Sequence, residues 1–125
     1  MKNTYIPGVC NIGPAEIRSR RNAGLIGLLL LAALLVLFAF YDVPPVFRLV
    51  VFFPATLAAI GYLQAVLHFC VKFGMSGLFN FSQSLEKTET VSQAEYRRKD
   101  QHKAITIIIG SVVSGLIITA LSMFI

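Results

Sequence analysis

Three long apolar stretches, parted by one very short and one long polar segment, set the pattern of this chain. The first reads NAGLIGLLLLAALLVLFAFY from Asn22 to Tyr41, without a charge, between Arg18, Arg20 and Arg21 on one side and Asp42 on the other. At about 1.5 Å of rise per residue, a helix of that length crosses the roughly 30 Å hydrocarbon layer of a bilayer. Runs from Leu49 to Val71 and from Ala104 to Ile125 match it. The pattern predicts an all-α integral membrane protein with three transmembrane helices, near residues 23–41, 46–71 and 103–125. The whole chain, 1–125, then reads as a single three-helix membrane domain. The apolar core of the first run exceeds the usual signal-peptide core of about 7–15 residues. Phe38, Phe40 and Tyr41 also stand where small cleavage-site residues belong, so the run reads as an uncleaved helix.

Residues 1–22 form a lead-in to the first span. Pro7-Gly8 and Gly13-Pro14 punctuate it as turns. Pro14 suits a first helical position and Glu16 the positive end of the helix dipole, so a helix is expected to begin near Pro14 and lie at the interface through Arg21. Tyr5, Ile6, Val9, Ile12 and Ile17 are more apolar than a free tail needs, which raises a docking segment beside the plainer reading of an ordered basic cap on headgroups.

Asp42-Val43-Pro44-Pro45 is so short that the first two spans must form an antiparallel hairpin. Pro45 fits a helix start. Arg48, one turn in, is expected to reach back to the interface. An Asp42–Arg48 pair across the turn would be exposed and weak. Pro54 frees the carbonyl of Val50, predicting a kink in a second helix that otherwise continues from Pro45 to Val71. Within that helix Ala58, Gly61 and Ala65 recur at helical spacing, flanked by Gln64 and His68. The third span carries Gly110-x-x-x-Ser114 and Ser111-x-x-x-Gly115, with Ser122 on the same side. Small faces let backbones approach closely in lipid, and a polar side chain beside one usually hydrogen-bonds to the neighbouring helix. These residues are therefore the candidate helix contacts, between spans 2 and 3 or between protomers.

The second connection, 72–102, is the long polar one. Its start, KFGMSGLFNFS, mixes phenylalanines with glycines, as a segment in the headgroup zone would. SLEKTETV reads as a linker. Ser92-Gln-Ala-Glu95 has the form of a capping box. The third helix is thus expected to start near 92 and to project about three turns into water before Ala104.

Composition agrees: 56% of residues are hydrophobic and 14% charged, against about 25% charged in a soluble domain. The net charge of +5 raises nucleic acid as a partner, but the basic residues lie beside apolar runs and not along a groove. Arg18, Arg20, Arg21, Arg97, Arg98, Lys99 and Lys103 are instead candidates for anionic lipid headgroups or a docking partner. Of the 11 Lys and Arg residues, all but Arg48 lie in the lead-in, in the long connection or, as Lys103, at its boundary with the third span. That asymmetry puts the N-terminus and long loop in the cytoplasm and the hairpin turn and C-terminus outside, with a bacterial cytoplasmic membrane as the expected setting.

Candidate chemistry is sparse. No Asp or Glu lies within the three apolar runs, whereas proton-coupled transport and cation channels generally use buried carboxylates or rings of charge. A small oligomeric transporter or channel is thus a minor alternative, with Gln64 its one polar residue of interest. His68, Cys70, His102 and Cys10 are the metal-capable residues. Span 2 descends to the interface at which span 3 enters, so His68 and His102 would share a depth, the minimum for a bis-histidine haem. A His/Cys set would suit zinc. Against both, the spacing is generic, and His68 is more simply read as hydrogen-bonded to a neighbouring helix and His102 as solvated. Both cysteines fall on the reducing side, so no disulfide is expected. No nucleophile elbow, phosphate loop, zinc-protease motif or paired carboxylate occurs. Glu86, Glu89, Glu95 and Asp100 read as a solvated acidic face. The sequence thus predicts a non-enzymatic accessory, assembly or self-associating subunit without a cofactor, with a haem- or metal-binding redox protein at His68 and His102 as the alternative.

Overall fold

A computed structural model describes residues 5–81 and 88–124. Three helices are long and apolar enough to cross a membrane. The first, α1 (Pro14–Phe40), opens on Gly13 in extended conformation with Pro14 at its first turn. Its 27 residues span about 40 Å, so the polar turns up to Arg21 stand outside the hydrocarbon. Tyr41 to Pro44 turn the chain, and Pro45 starts a short helix, α2 (Pro45–Arg48). A single 3-10 turn, Leu49–Val51, leads into α3 (Phe52–Leu67). Together these make the second span, Pro45–Leu67. The disturbance expected from Pro54 is thus a tightening of the turn that precedes it, where the missing N–H and the ring disfavour regular α geometry.

The second span stops at Leu67, four residues short of the expected Val71. His68 takes the left-handed conformation (φ 55°, ψ 42°), which costs a non-glycine residue about 1 kcal/mol. The surroundings accept the break because each amide it frees has a partner. Phe69 N donates to the Gln64 carbonyl (3.0 Å), Cys70 N to Asn11 Oδ1 (2.7 Å) and Val71 N to Gln64 Oε1 (2.8 Å). A short helix, α4 (Val71–Ser76), follows and ends at Gly77 with φ 72°. The glycine- and phenylalanine-containing segment from Lys72 thus makes up most of α4 and continues into a strand. Leu78–Phe79 (β1) pairs antiparallel with Glu89–Thr90 (β2), in register Leu78 with Thr90. Of the expected linker, residues 82–87, Glu86 among them, lie outside the described residues.

The third long helix, α5 (Ala94–Ser122), starts after Gln93, with no side-chain cap. The Ser92–Glu95 capping box is therefore not formed. The Val91 and Ser92 carbonyls are held instead by Arg97 Nη1, at 2.7 and 3.0 Å. Nor do the first turns of α5 project freely into water. Asp100 and Ala104 are fully buried, beneath the N-terminal segment and α4.

In the membrane layer α3 is central, and α1 and α5 each pack against it and hardly against each other. The α1–α3 seam is a backbone-to-backbone approach. A Cβ on Gly61 would lie within 2.5 Å of Gly24 Cα, and one on Gly27 would lie 2.6 Å from Ala58 N. The α5–α3 seam forms where Gly115 faces Thr56 and Phe52. Leu31, Phe38, Val51 and Ala55 fill the hairpin end. Phe69, Ala104 and Ile107 tie the other end of α3 to α5. Ile12, Ile17, Ala65, Cys70 and Phe73 join the lead-in to the spans.

Candidate functional site

Two features stand out from this frame: a polar cap over one end of the helices, and a slot within the membrane layer. The cap begins with the lead-in. Ile6 and Cys10 close a turn through two backbone hydrogen bonds of 3.0 Å, with Gly8 at its bend (φ 71°). Asn11 then enters the interior, where its side chain donates to the Cys70 carbonyl (3.1 Å) and accepts the Cys70 amide. Its backbone N–H donates to the His68 carbonyl (3.1 Å). The Asn80 amide donates to the Asn11 carbonyl (2.9 Å), and the Gly13 amide to that of Asn80 (2.8 Å). Asn80 Nδ2 reaches Glu16 Oε2 at 2.9 Å. Glu16 pairs with Arg20 at 3.2 Å, and Arg20 also donates to Cys70 Sγ at 3.0 Å and lies over the Phe73 ring. Asn11, Glu16 and Asn80 are all essentially inaccessible. Their burial is tolerable because their hydrogen bonds interlock.

A second knot holds the turn to α5. Asp100 accepts Tyr5 Oη–H at 2.6 Å and the Gly8 amide at 2.8 Å. Burial, and then the bond to Asp100, push the Tyr5 hydroxyl well above its ordinary pKa. Its ring stacks on Phe79 at 4.8 Å. The lead-in thus docks on its own chain, with Ile12 and Ile17 buried and Val9 turned outward. Asp100, expected on a solvated face, is the latch. Glu89 and Glu95 are exposed as expected.

Several candidate docking cations have structural work instead. Arg20 belongs to the Glu16 knot, and Arg97 caps the turn before α5 and covers Gly77. Arg18 and Arg21 are exposed. Arg98, Lys99, His102 and Lys103 line a groove of about 660 Å³ between α5 and the Pro7–Gly8 turn. At the opposite end, Arg48 forms no ion pair with Asp42 among the described residues. It is buried, donating to the Val43 carbonyl (3.2 Å) and the Ser122 carbonyl (2.9 Å), with its guanidinium over Phe38. The inward turn closes the Ser122 carbonyl, which the end of α5 would otherwise leave bare, together with a carbonyl of the connecting turn.

The candidate helix-contact residues divide. Gly61 and Ala58 pack on α1, and Gly115 on α3, so these small faces join helices of one chain. Ser111 is buried and bonded to the Ile107 carbonyl (2.8 Å). Ala65 lies in the cluster shared with the lead-in. Gln64 serves its own chain, as described. Gly110 meets Leu63 only at 3.8 Å. Ser114, bonded to the Gly110 carbonyl (2.8 Å), lines the second feature. That feature is a slot of about 410 Å³, with Ala55, Ala58 and Ala59 among its α3 residues, Leu28 and Leu31 on the α1 side, and Ser114 and Ile118 on the α5 side. It exists because α1 and α5 flank α3 without closing over it.

His68 and His102 are separated by role. His102 opens into the basic groove, which His68 does not line. Among the described residues His68 makes no side-chain hydrogen bond, so the expected bond to a neighbouring helix is not made. Nor, among the described residues, do three His, Cys, Asp or Glu side chains converge as a metal centre requires. Cys10 and Cys70 are both buried as reduced thiols. Reasoning from sequence missed the network of Asn11, Glu16 and Asn80 and the separate knot at Asp100. It also missed Gly24 and Gly27, whose helical spacing in the first span was a readable signal. No family model matches the chain, and neither curated proteins nor solved structures provide a match.

Proposed function

We propose that this chain is a non-catalytic membrane subunit that seats a transmembrane helix of another subunit, or of a second copy, in the slot over α3. The observation that supports this reading is the slot itself. Its floor is alanine, its rim carries the Ser114 hydroxyl and Tyr62, and long helices wall both sides. A small floor allows close backbone approach, which in lipid supplies the van der Waals contact that hydrophobicity cannot. The glycine faces are already used within the chain, so the slot, and not those faces, is where association is expected. The distribution of basic residues supports a cytoplasmic cap and an external hairpin turn.

Replacing Ala59 by Phe would fill the slot without entering either glycine seam. Under mild detergent, Ala59→Phe should lose its stoichiometric companion, whereas Val36→Phe, on an exposed face of α1, should keep it. Equal behaviour of the two variants would remove the proposal. Orientation is checked separately by a Thr90→Cys label, which should react only from the cytoplasmic side. An absorption spectrum and metal analysis of the same preparation bear on the haem or zinc alternative, since a stoichiometric cofactor lost on His68→Ala/His102→Ala replacement would displace this reading.

A further inference from the structure

The groove beside the Pro7–Gly8 turn gathers Arg98, Lys99, His102 and Lys103 within successive turns of α5. Its carboxylate is Glu95, which stands 3.9 Å from Lys99, with both side chains mostly exposed. Three fixed cations therefore face one anion. Thr106 also lines the groove, but its hydroxyl is spent on the His102 carbonyl at 2.9 Å. Binding strength must come from the cations.

What lies below the groove identifies the ligand. Ile109 and Val113 follow His102 and Thr106 by seven residues, which places them on the same helix face. Ile117 continues that face. These three side chains are 57%, 47% and 55% exposed, so a bare apolar track runs from the groove into the membrane layer. A soluble anion would use the cations and leave the track idle. A phospholipid uses both. We propose that the groove binds the phosphate of an anionic phospholipid whose acyl chain lies along Ile109, Val113 and Ile117. The site is separate from the helix slot and does not depend on it.

The test is lipid retention by the full chain, read by native mass spectrometry from detergent micelles. Dioleoyl phosphatidylglycerol is titrated against dioleoyl phosphatidylcholine, with inorganic phosphate as competitor. One phosphatidylglycerol should be held about tenfold more tightly than phosphatidylcholine, and Arg98→Gln/Lys103→Gln should erase that preference. Arg18→Gln/Arg21→Gln removes the same charge elsewhere at this end and should change it by no more than about twofold. Should the groove double variant misfold by circular dichroism, Arg98→Gln alone, at an exposed position, carries the comparison. Three results overturn the proposal: no preference between the lipids, equal losses in the two double variants, or displacement of the lipid by inorganic phosphate at matching concentration.

Discussion

The cap and the membrane layer of this protein are held together by opposite means. In the membrane layer α1 meets α3 through Gly24, Gly27, Ala58 and Gly61, by direct approach of one backbone to the other. In the cap, Asn11, Glu16, Asn80 and Asp100 are buried almost completely and survive there through interlocked hydrogen bonds. Each solution suits its solvent. Lipid gives apolar helices no reason to associate except close contact, so the smallest residues mark the seam. At the water boundary the broken end of α3 exposes amides that must be paired, so polar side chains collect there. The two regions should therefore fail differently when altered.

The largest effect is expected at the seam. A side chain at position 61 meets backbone, which cannot move aside, so Gly61→Leu should cost about 3 kcal/mol, at the upper end for overpacking. Thermal unfolding in detergent should show the whole protein destabilised, cap included, because Glu16 and Arg20 ride on α1. Asp100→Ala comes next. It leaves the Gly8 amide and the Tyr5 hydroxyl without their acceptor, a loss of about 1.5–3 kcal/mol. The damage should stay local, read as faster hydrogen exchange from Tyr5 to Gly13 with little change in the spans. If Asp100→Ala melts the spans as readily as Gly61→Leu does, the division into two regions is wrong.

Tyr5→Phe should be milder, about 1 kcal/mol, since Gly8 still holds Asp100. It also isolates a pH effect. The Tyr5 hydroxyl is raised from its ordinary value of 10.0, so its neutral form stabilises the cap below that pH, and the contribution fades as pH climbs past it. Protection factors of the cap amides, which remove the intrinsic base-catalysed rise in exchange, should therefore be flat from about pH 6 to 9 in the native chain and then fall more steeply than in Tyr5→Phe. The smallest effect is expected for Gly110→Leu. A Cβ there meets only Leu63 at 3.8 Å, and the change should stay within about 0.5 kcal/mol. A large loss at Gly110 would mean that the α3–α5 seam is tighter than its geometry.

The same contrast explains what could be read from the sequence. Spans are legible because bilayer thickness imposes one length and one composition, and the start at Pro14 follows from a proline and an acid in the right order. The hairpin at Asp42–Pro45 is equally local. The cap is not local. Nothing near Asp100 in sequence announces that Tyr5 and Gly8 will cover it, and nothing near Cys70 announces Asn11. His68 illustrates the limit well. A left-handed histidine in an apolar run is unfavourable by itself, and becomes acceptable only once Asn11 and Gln64 receive the freed amides. Arg48 likewise turns inward because the end of α5 offers a carbonyl that the sequence places 74 positions away. Among the candidate contacts, the small-residue spacing in α3 and α5 pointed to close helix approach, but which helix Gly61 would meet required the fold.

The slot over Ala55, Ala58 and Ala59 is proposed to receive a helix and not lipid. The most direct measurement places a photo-crosslinking residue at position 59 and, as reference, at position 36, and irradiates intact membranes. Mass spectrometry should find position 59 joined to a peptide from a transmembrane helix, either of a second protein or of another copy, and position 36 joined to lipid. Lipid adducts alone at position 59, in the same yield as at position 36, would contradict the account.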